Sequence, residues 1–456
     1  MMARLIQTLS VLFCVFGNVY TDIGYFWHIT DFHYDFTYYG RQLSCNPNAK
    51  PTEPGKYGDF WCDSPWALVN SSVQAMAKHR ADVDFILWTG DTVLHTGNEN
   101  LNYTINADIL DNVTEIIDNV MGSVPVFATF GNHDYYPNNQ FPPTNNLLYN
   151  DTWDRWGAWI GDVTQEGNFR KGAYYTKKTD HGLRIVALNT NLYYTSNKAV
   201  LGSNDPGDQL SWLNQTLAEA RRNNERVLVT AHIPPGPHTP SDTWWMHEQF
   251  HTPLVETLRR YTDVIVAMHF GHDHADGFKV LSGNSGNHKA PIFMAPSVTP
   301  WRYIIPNVIG PAHNPGIRLV KYERTTGRHL DIQQYYLDLE NANNNGSDIW
   351  GLEYTATSAY GIDDLTAESL EKAIEKIKKP GSEEFNRYVH FHDVSPPVLL
   401  KEECDHICHG VIVCGFTHFD VEGYEQCKTD MTSGAGKINV SVMAFLLIYH
   451  LLRYLQ

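Results

Sequence analysis

The sequence has no long run of basic residues, no sustained heptad, no internal repeat and no uninterrupted apolar stretch of about 20 residues. These absences argue against a coiled coil, a repeat array and a membrane-spanning helix. Charge of one sign is short: 34 Lys+Arg stand against 51 Asp+Glu in 456 residues, for a net charge of −17. A chain this acidic is not built to neutralise the phosphates of a nucleic-acid polymer. The 33 Gly and 23 Pro are scattered, which excludes a collagen-like chain, and 42% apolar residues exclude a disordered one. Cysteine is scarce, at seven, whereas histidine is abundant, at 22. That imbalance directs attention to metal chemistry.

The two ends differ in composition from the body. Residues 1–20 read as a secretory signal peptide, with Arg4 before the mostly apolar run Leu5 to Phe16. Secretion predicts disulfides and glycans. With Cys14 removed, Cys45, Cys62, Cys404, Cys408, Cys414 and Cys427 remain, an even number that suits three disulfides. Chain separation favours Cys45–Cys62 and two bonds within the C-terminal four, while a zinc site using His406 and His409 is the competing reading. Acceptor sequons lie at Asn70, Asn102, Asn112, Asn150, Asn214 and Asn345, with another at Asn439. Residues 433–456 run from small residues through a short polar spacer to an apolar tail, the order of a GPI-anchor signal. The expected location is therefore secreted, or on the outer face of the cell membrane.

From about residue 23 to 340, short apolar runs alternate with helical patterns. Ile23–Ile29, Phe85–Trp88, Val124–Phe130, Leu183–Leu188, Val227–Thr230, Val264–Met268 and Pro291–Ala295 are expected strands. Gly316–Tyr322 and His329–Leu339 are expected as later, partly antiparallel strands. Val69, Val73, Met76 and Ala77 form a helical stripe. So do Ile109, Val113, Ile116, Ile117 and Val120, and again Leu210, Leu213, Leu217 and Ala220. The class is α/β with a substantial sheet. Asn341–Ser347 reads as a surface loop, and Thr366 as the cap of a helix ended by Pro380-Gly381.

The strands are followed by metal-capable side chains. Thr30-Asp31-Phe32-His33, Gly90-Asp91, Gly131-Asn132-His133-Asp134, His232 and Gly271-His272-Asp273-His274 each come after an apolar run. In open α/β sheets, ligands bind beyond the carboxyl ends of the strands, so these loops are expected to converge. Two divalent metals can hold the attacking and leaving oxygens of an in-line phosphoryl displacement, and need a shared carboxylate between them. Asp91 suits that place. Mixed imidazole and carboxylate donors suit zinc, with manganese or iron as alternatives.

This set of motifs resembles the calcineurin-like metallophosphoesterases. Gly90-Asp91-Thr92-Val93-Leu94-His95 and Leu188-Asn189-Thr190-Asn191 are similar to the acid sphingomyelinase-like phosphodiesterases, over about Tyr25 to Cys427. Leu94 stands where purple acid phosphatases carry a tyrosine, which argues against their iron site. The resemblance implies a four-layer sandwich of two mixed sheets flanked by helices over 21–340, and a small disulfide-bonded helical subdomain over 341–432. It implies two zinc ions, one on Asp31, His33, Asp91 and His274, the other on Asp91, Asn132, His232 and His272. It makes His133 the proton donor to the leaving oxygen and His95 a second phosphate-facing histidine. Asp134 is expected to orient one of the imidazoles.

The implied substrates are small phosphodiesters or phosphoanhydrides, such as nucleotides or CDP-choline, acted on by a monomer. Sphingomyelin hydrolysis is the alternative, disfavoured because no lipid-presenting domain is expected ahead of Asp31. A non-catalytic surface binding glycoprotein is the alternative of another class. The stretch Trp244-Trp245-Met246-His247 is expected either to line the pocket or to pack in the core or on the surface.

Overall fold

The computed structural model describes residues 22–302, 304–305, 308–398 and 403–433. The expected signal peptide, the Asn439 sequon and the tail after Ser433 lie outside them. Among the described residues no helix is long and apolar enough to cross a membrane.

Two six-stranded mixed sheets form the body. In chain order the strands are β1 (Ile23–Ile29), β2 (Phe85–Trp88), β3 (Val126–Ala128), β4 (Tyr175–Lys178), β5 (Arg184–Ala187) and β6 (Val227–Thr230). Two short ones follow, β7 (Pro237–His238) and β8 (Thr243–Trp244), then β9 (Ile265–Phe270), β10 (Gly277–Ser282) and β11 (Lys289–Met294). The pair β12 (Ile304–Ile305) and β13 (Val308–Ile309) precedes β14 (Gly316–Glu323), β15 (His329–Leu337) and β16 (Trp350–Thr355). The first sheet has the order β16-β15-β14-β1-β2-β3 and the second β10-β11-β9-β6-β5-β4. In the first, β1, β2 and β3 are parallel; in the second, β5, β6, β9 and β11 are.

Burial explains the strands. Phe-Ile-Leu-Trp of β2 and Val-Leu-Val-Thr of β6 are buried on both faces, as parallel strands between two layers must be. Helices cover the outside. Tyr103–Met121 starts where the Asn102 side chain accepts the Ile105 amide at 3.0 Å, and buries Ile109, Val113 and Ile117. Gln209–Arg222 buries Leu210, Leu213, Leu217 and Ala220, the stripe legible in the sequence.

Three features differ from expectation. Residues 339–345 form a helix, Leu339–Asn345, not a loop. Asp338 caps it by accepting the Asn341 amide at 3.0 Å, and the pair Leu339 and Ala342 is buried beneath its polar residues. The strand expected over Val124–Phe130 is only Val126–Ala128; Pro125 has no amide to give a ladder. Sheet pairing also continues beyond residue 340, because β16 pairs with β15.

Disulfides join Cys45 to Cys62, Cys404 to Cys408 and Cys414 to Cys427. The C-terminal sulfurs are thus consumed, which removes the thiolates that a zinc site with His406 and His409 would need. Thr366 caps helix Ala367–Ile377 as expected, through the Ser369 amide.

Candidate metal centre

Five strands end at one edge of the sandwich, β1, β2 and β3 from the first sheet and β6 and β9 from the second. Their loops carry Asp31 and His33, Asp91, Asn132 and His133, His232, and His272 and His274. Backbone bonds stitch the loops together. Asp31 N donates to Gly90 O at 2.9 Å, His33 N to Asp91 O at 3.1 Å, and Gly271 N to His232 O at 2.9 Å. Asp31, His33, Asp91, His272 and His274 all have positive φ, between 40° and 71°, a region that L-residues rarely occupy. Strain of this kind persists only where surroundings enforce it, and it gathers at functional sites. Gly131 is required by contact: a Cβ there would lie 2.1 Å from Asp91 Oδ1.

The seven candidate ligands meet around Asp91. Its Oδ2 lies 3.1 Å from His232 Nε2 and 3.5 Å from His33 Nε2. On one side, His274 Nε2 is 3.4 Å from Asp31 Oδ1 and 3.2 Å from His33 Nε2. On the other, His232 Nε2 is 3.1 Å from Asn132 Oδ1 and 3.2 Å from His272 Nδ1. Three groups able to hold a metal result: His33 with His95 and His274; Asp91 with His232 and His272; and Asp31 with His33 and Asp91.

The donor chemistry fits a cation. His33 Nδ1 donates to Val93 O at 2.8 Å and His232 Nδ1 to Thr89 O at 2.6 Å, so in the neutral imidazole each Nε2 presents a lone pair. Asn132 Nδ2 donates to Asn139 Oδ1 at 2.9 Å, which turns its Oδ1 inward. In that neutral form His232 Nε2 faces the oxygens of Asp91 and Asn132 lone pair to lone pair. Asp31 Oδ1 is buried without any hydrogen-bond partner among the described residues. A positive charge resolves all of these contacts at once.

The same field acts on the protons. Burial opposes charging His33, but the nearby carboxylates of Asp31 and Asp91 outweigh it and raise the imidazole to about 9. His232 is likewise raised to about 9, burial being outweighed by Asp91. Burial opposes ionising Asp91 too, yet the imidazoles of His232 and His133 hold it below the usual carboxylate range. The folded His33 and His232 imidazoles thus each sit above the ordinary 6.5. Their contribution to stability is complete below pH 6.5 and is lost as pH rises through about 9. Chelator-treated protein should therefore lose thermal stability from pH 6.5 to 9, and metal uptake in that window should release protons. A flat melting temperature across it would contradict the shifts.

His133 and His95 sit at the mouth, edge to face with centroids 4.4 Å apart. The His133 amide donates to Asp91 Oδ1 at 2.8 Å, while its ring is held below its ordinary pKa by burial and by His95. An anionic phosphate beside it would oppose that shift. His95 is clamped between His33 and Trp301, each ring stacked at 3.9 Å. Its Nδ1 lies 2.9 Å from Asp63 Oδ1 and its amide donates to Asp63 Oδ2 at 2.6 Å. Asp63, fully buried and also accepting from Thr299 Oγ1, fixes the His95 ring through Nδ1. Asp63→Asn should lower kcat about tenfold with metal content unchanged, as loss of an orienting carboxylate does; unchanged kcat would remove that role.

Asp134 does not orient an imidazole. Its carboxylate accepts the amides of Asp91, Thr92, Val93 and Gly131 at 2.7–3.3 Å, fixing the backbone that carries Asp91. Trp245 does border the site: Nε1 donates to Asp273 Oδ1 at 3.1 Å and the ring meets His272 edge-on at 4.9 Å. Trp244 packs instead against His251 and Tyr424.

Residues 24–276 match the family described as calcineurin-like phosphoesterase, and residues 287–433 the acid sphingomyelin phosphodiesterase C-terminal region. The chain is 36% identical to the acid sphingomyelinase-like phosphodiesterase 3b of Homo sapiens, over 90% of this chain and 91% of that one. It is 36% identical to the cyclic GMP-AMP phosphodiesterase SMPDL3A of Rattus norvegicus, over 89% and 92%. It is 32% identical to the sphingomyelinase phosphodiesterase C of Dictyostelium discoideum, over 93% and 98%. The protein belongs to the calcineurin-like phosphoesterases, in the acid sphingomyelinase-like phosphodiesterase family. It is a phosphodiester hydrolase.

Proposed function

We propose that this chain is an extracellular di-zinc phosphodiesterase acting on small substrates, nucleotides or CDP-choline among them. One observation carries the reading: seven donor side chains from five strand-end loops converge around Asp91, with neighbouring donor atoms 3.1–3.5 Å apart. Asp31, His33, Asp91 and His274 would hold one ion, and Asp91, Asn132, His232 and His272 the other. When bound, such a pair acts as a Lewis acid on phosphoryl oxygens and makes water a nucleophile at neutral pH. The side chains at the mouth supply the rest. His133 hands a proton to the leaving oxygen, and His95, backed by Asp63, holds a phosphoryl oxygen in place.

The nucleotide reading is supported by the relatives named for cyclic GMP-AMP. Secretion is supported by the three disulfides and by the sequons. Asn102, Asn112 and Asn345 are exposed, as a glycan acceptor needs, while Asn70, Asn150 and Asn214 are half-buried. The GPI anchor remains a proposal from the sequence of the tail.

The test is turnover by zinc-loaded protein of cyclic GMP-AMP, ATP, CDP-choline and detergent-dispersed sphingomyelin, with and without chelator. Chelator-sensitive hydrolysis of the nucleotides but not of sphingomyelin is expected. Preferential sphingomyelin turnover would replace the substrate class. No turnover with two zinc ions bound would favour a binding protein.

A further inference from the structure

Behind the metal centre, between the sheets, three buried histidines form a line. His28 comes from β1, His269 from β9 and His329 from β15; they are 0%, 0% and 2% exposed. His329 Nδ1 is 3.0 Å from Gly327 O, and His329 Nε2 is 2.8 Å from His269 Nε2. His269 Nδ1 is 3.3 Å from His28 Nδ1, and His28 Nε2 is 3.0 Å from Thr89 Oγ1. All six ring nitrogens are thereby partnered. Phe26 lies edge-on to His269 and His329, Phe293 stacks on His329, and the buried Arg318 adds its charge to the field on His28 and His269. Burial is the chief cause holding all three imidazoles below their ordinary pKa, with His329 at about 4, so each ring is neutral.

Neutral rings allow one arrangement of hydrogens. A carbonyl oxygen only accepts, so His329 Nδ1 donates to Gly327. His329 Nε2 then accepts from His269 Nε2, His269 Nδ1 accepts from His28 Nδ1, and His28 Nε2 accepts from the Thr89 hydroxyl. The line does not conduct protons onward, because it ends on a carbonyl that cannot pass one. Reversing it would set His329 Nδ1 lone pair to lone pair against Gly327 O. Its result is mechanical: the Thr89 side chain is pinned in one orientation.

Thr89 is the residue whose carbonyl accepts from His232 Nδ1 at 2.6 Å. That carbonyl belongs to the peptide joining Thr89 to Gly90, and Gly90 has φ +90° and no side chain to steady it. We propose that the His28–His269–His329 line positions His232, and through it the half of the metal centre shared with Asn132 and His272, by pinning the Thr89–Gly90 peptide. The inference rests on the two-metal reading. It makes these histidines positioning residues, remote from any reacting atom.

The experiment is zinc binding by chelator competition on the full protein, with melting temperature and KM measured alongside. His269→Phe fills the space but leaves its neighbours unpaired. His269→Gln keeps one donor and one acceptor at the spacing of the ring nitrogens. Thr89→Val removes only the hydroxyl. His269→Phe and Thr89→Val should each weaken one of the two zinc sites by about tenfold, the scale of an outer orienting contact, with KM unchanged. His269→Gln should restore wild-type affinity. Wild-type affinity at both sites in folded His269→Phe or Thr89→Val overturns the proposal, as does equal weakening of both sites or a His269→Gln protein no better than the phenylalanine variant. If His269→Phe does not fold, Thr89→Val decides. A wild-type chain that binds fewer than two zinc ions contradicts the two-metal reading itself, a different outcome from intact affinity in the variants.

Discussion

Replacing Asp91 with alanine is expected to abolish turnover and strip metal from the protein. Asp91 is the carboxylate both halves of the site share, with Oδ2 at 3.1 Å from His232 Nε2 and 3.5 Å from His33 Nε2. Without it, Asn132, His232 and His272 lose the carboxylate they face, and His33 loses one of the carboxylates around it. Metal-ion stabilisation of a phosphoryl transition state is worth several kcal/mol, so a loss of at least about 10³-fold in kcat/KM should follow. The damage is not confined to charge, because Asp91 Oδ1 also accepts the His133 amide at 2.8 Å and so ties the β2 loop to the β3 loop. Elemental analysis should show less than one equivalent of metal per chain. A variant with two bound ions and measurable turnover would show that Asp91 is not the bridge.

His133→Ala should separate chemistry from metal binding. The bond from residue 133 to Asp91 is made by its amide, so removing the ring leaves that bond in place. Both ions should be retained. Loss of a general acid costs about 10²–10⁴-fold, and the cost should shrink for a diester whose leaving group is a nitrophenolate that needs no proton. The ratio of activities on an alkyl-type and a nitrophenyl diester is the measurement. If His133→Ala slows both equally, the ring holds the phosphate rather than supplying the proton.

Much of this site is legible in the sequence because parallel strands impose a rule on it. A strand buried on both faces is a short apolar run, its ligand-bearing end is the carboxyl end, and a glycine marks the tight turn; Trp88-Thr89-Gly90-Asp91 and Phe130-Gly131-Asn132-His133 show all three. What escapes is whatever acts through the backbone or looks structural. Asp134 stands beside two site residues, but its partners are four amides, which leave no trace in side-chain spacing. Asp63, in Cys62-Asp63-Ser64-Pro65, reads as the approach to helix Trp66–Arg80, and nothing local ties it to His95, 32 residues on. His28, His269 and His329 sit inside strands and meet across separations of 241 and 60 residues. The helix over Leu339–Asn345 is hidden for a different reason: only Leu339 and Ala342 among its seven residues are buried, too few to set a period.

In the proposed centre, seven side chains at one edge of two sheets would hold a pair of metal ions. Counting zinc per chain by elemental mass spectrometry, on protein stripped, reloaded and freed of excess ion, tests this most directly. Two per wild-type chain are expected, and a count of none or one would contradict a paired metal centre.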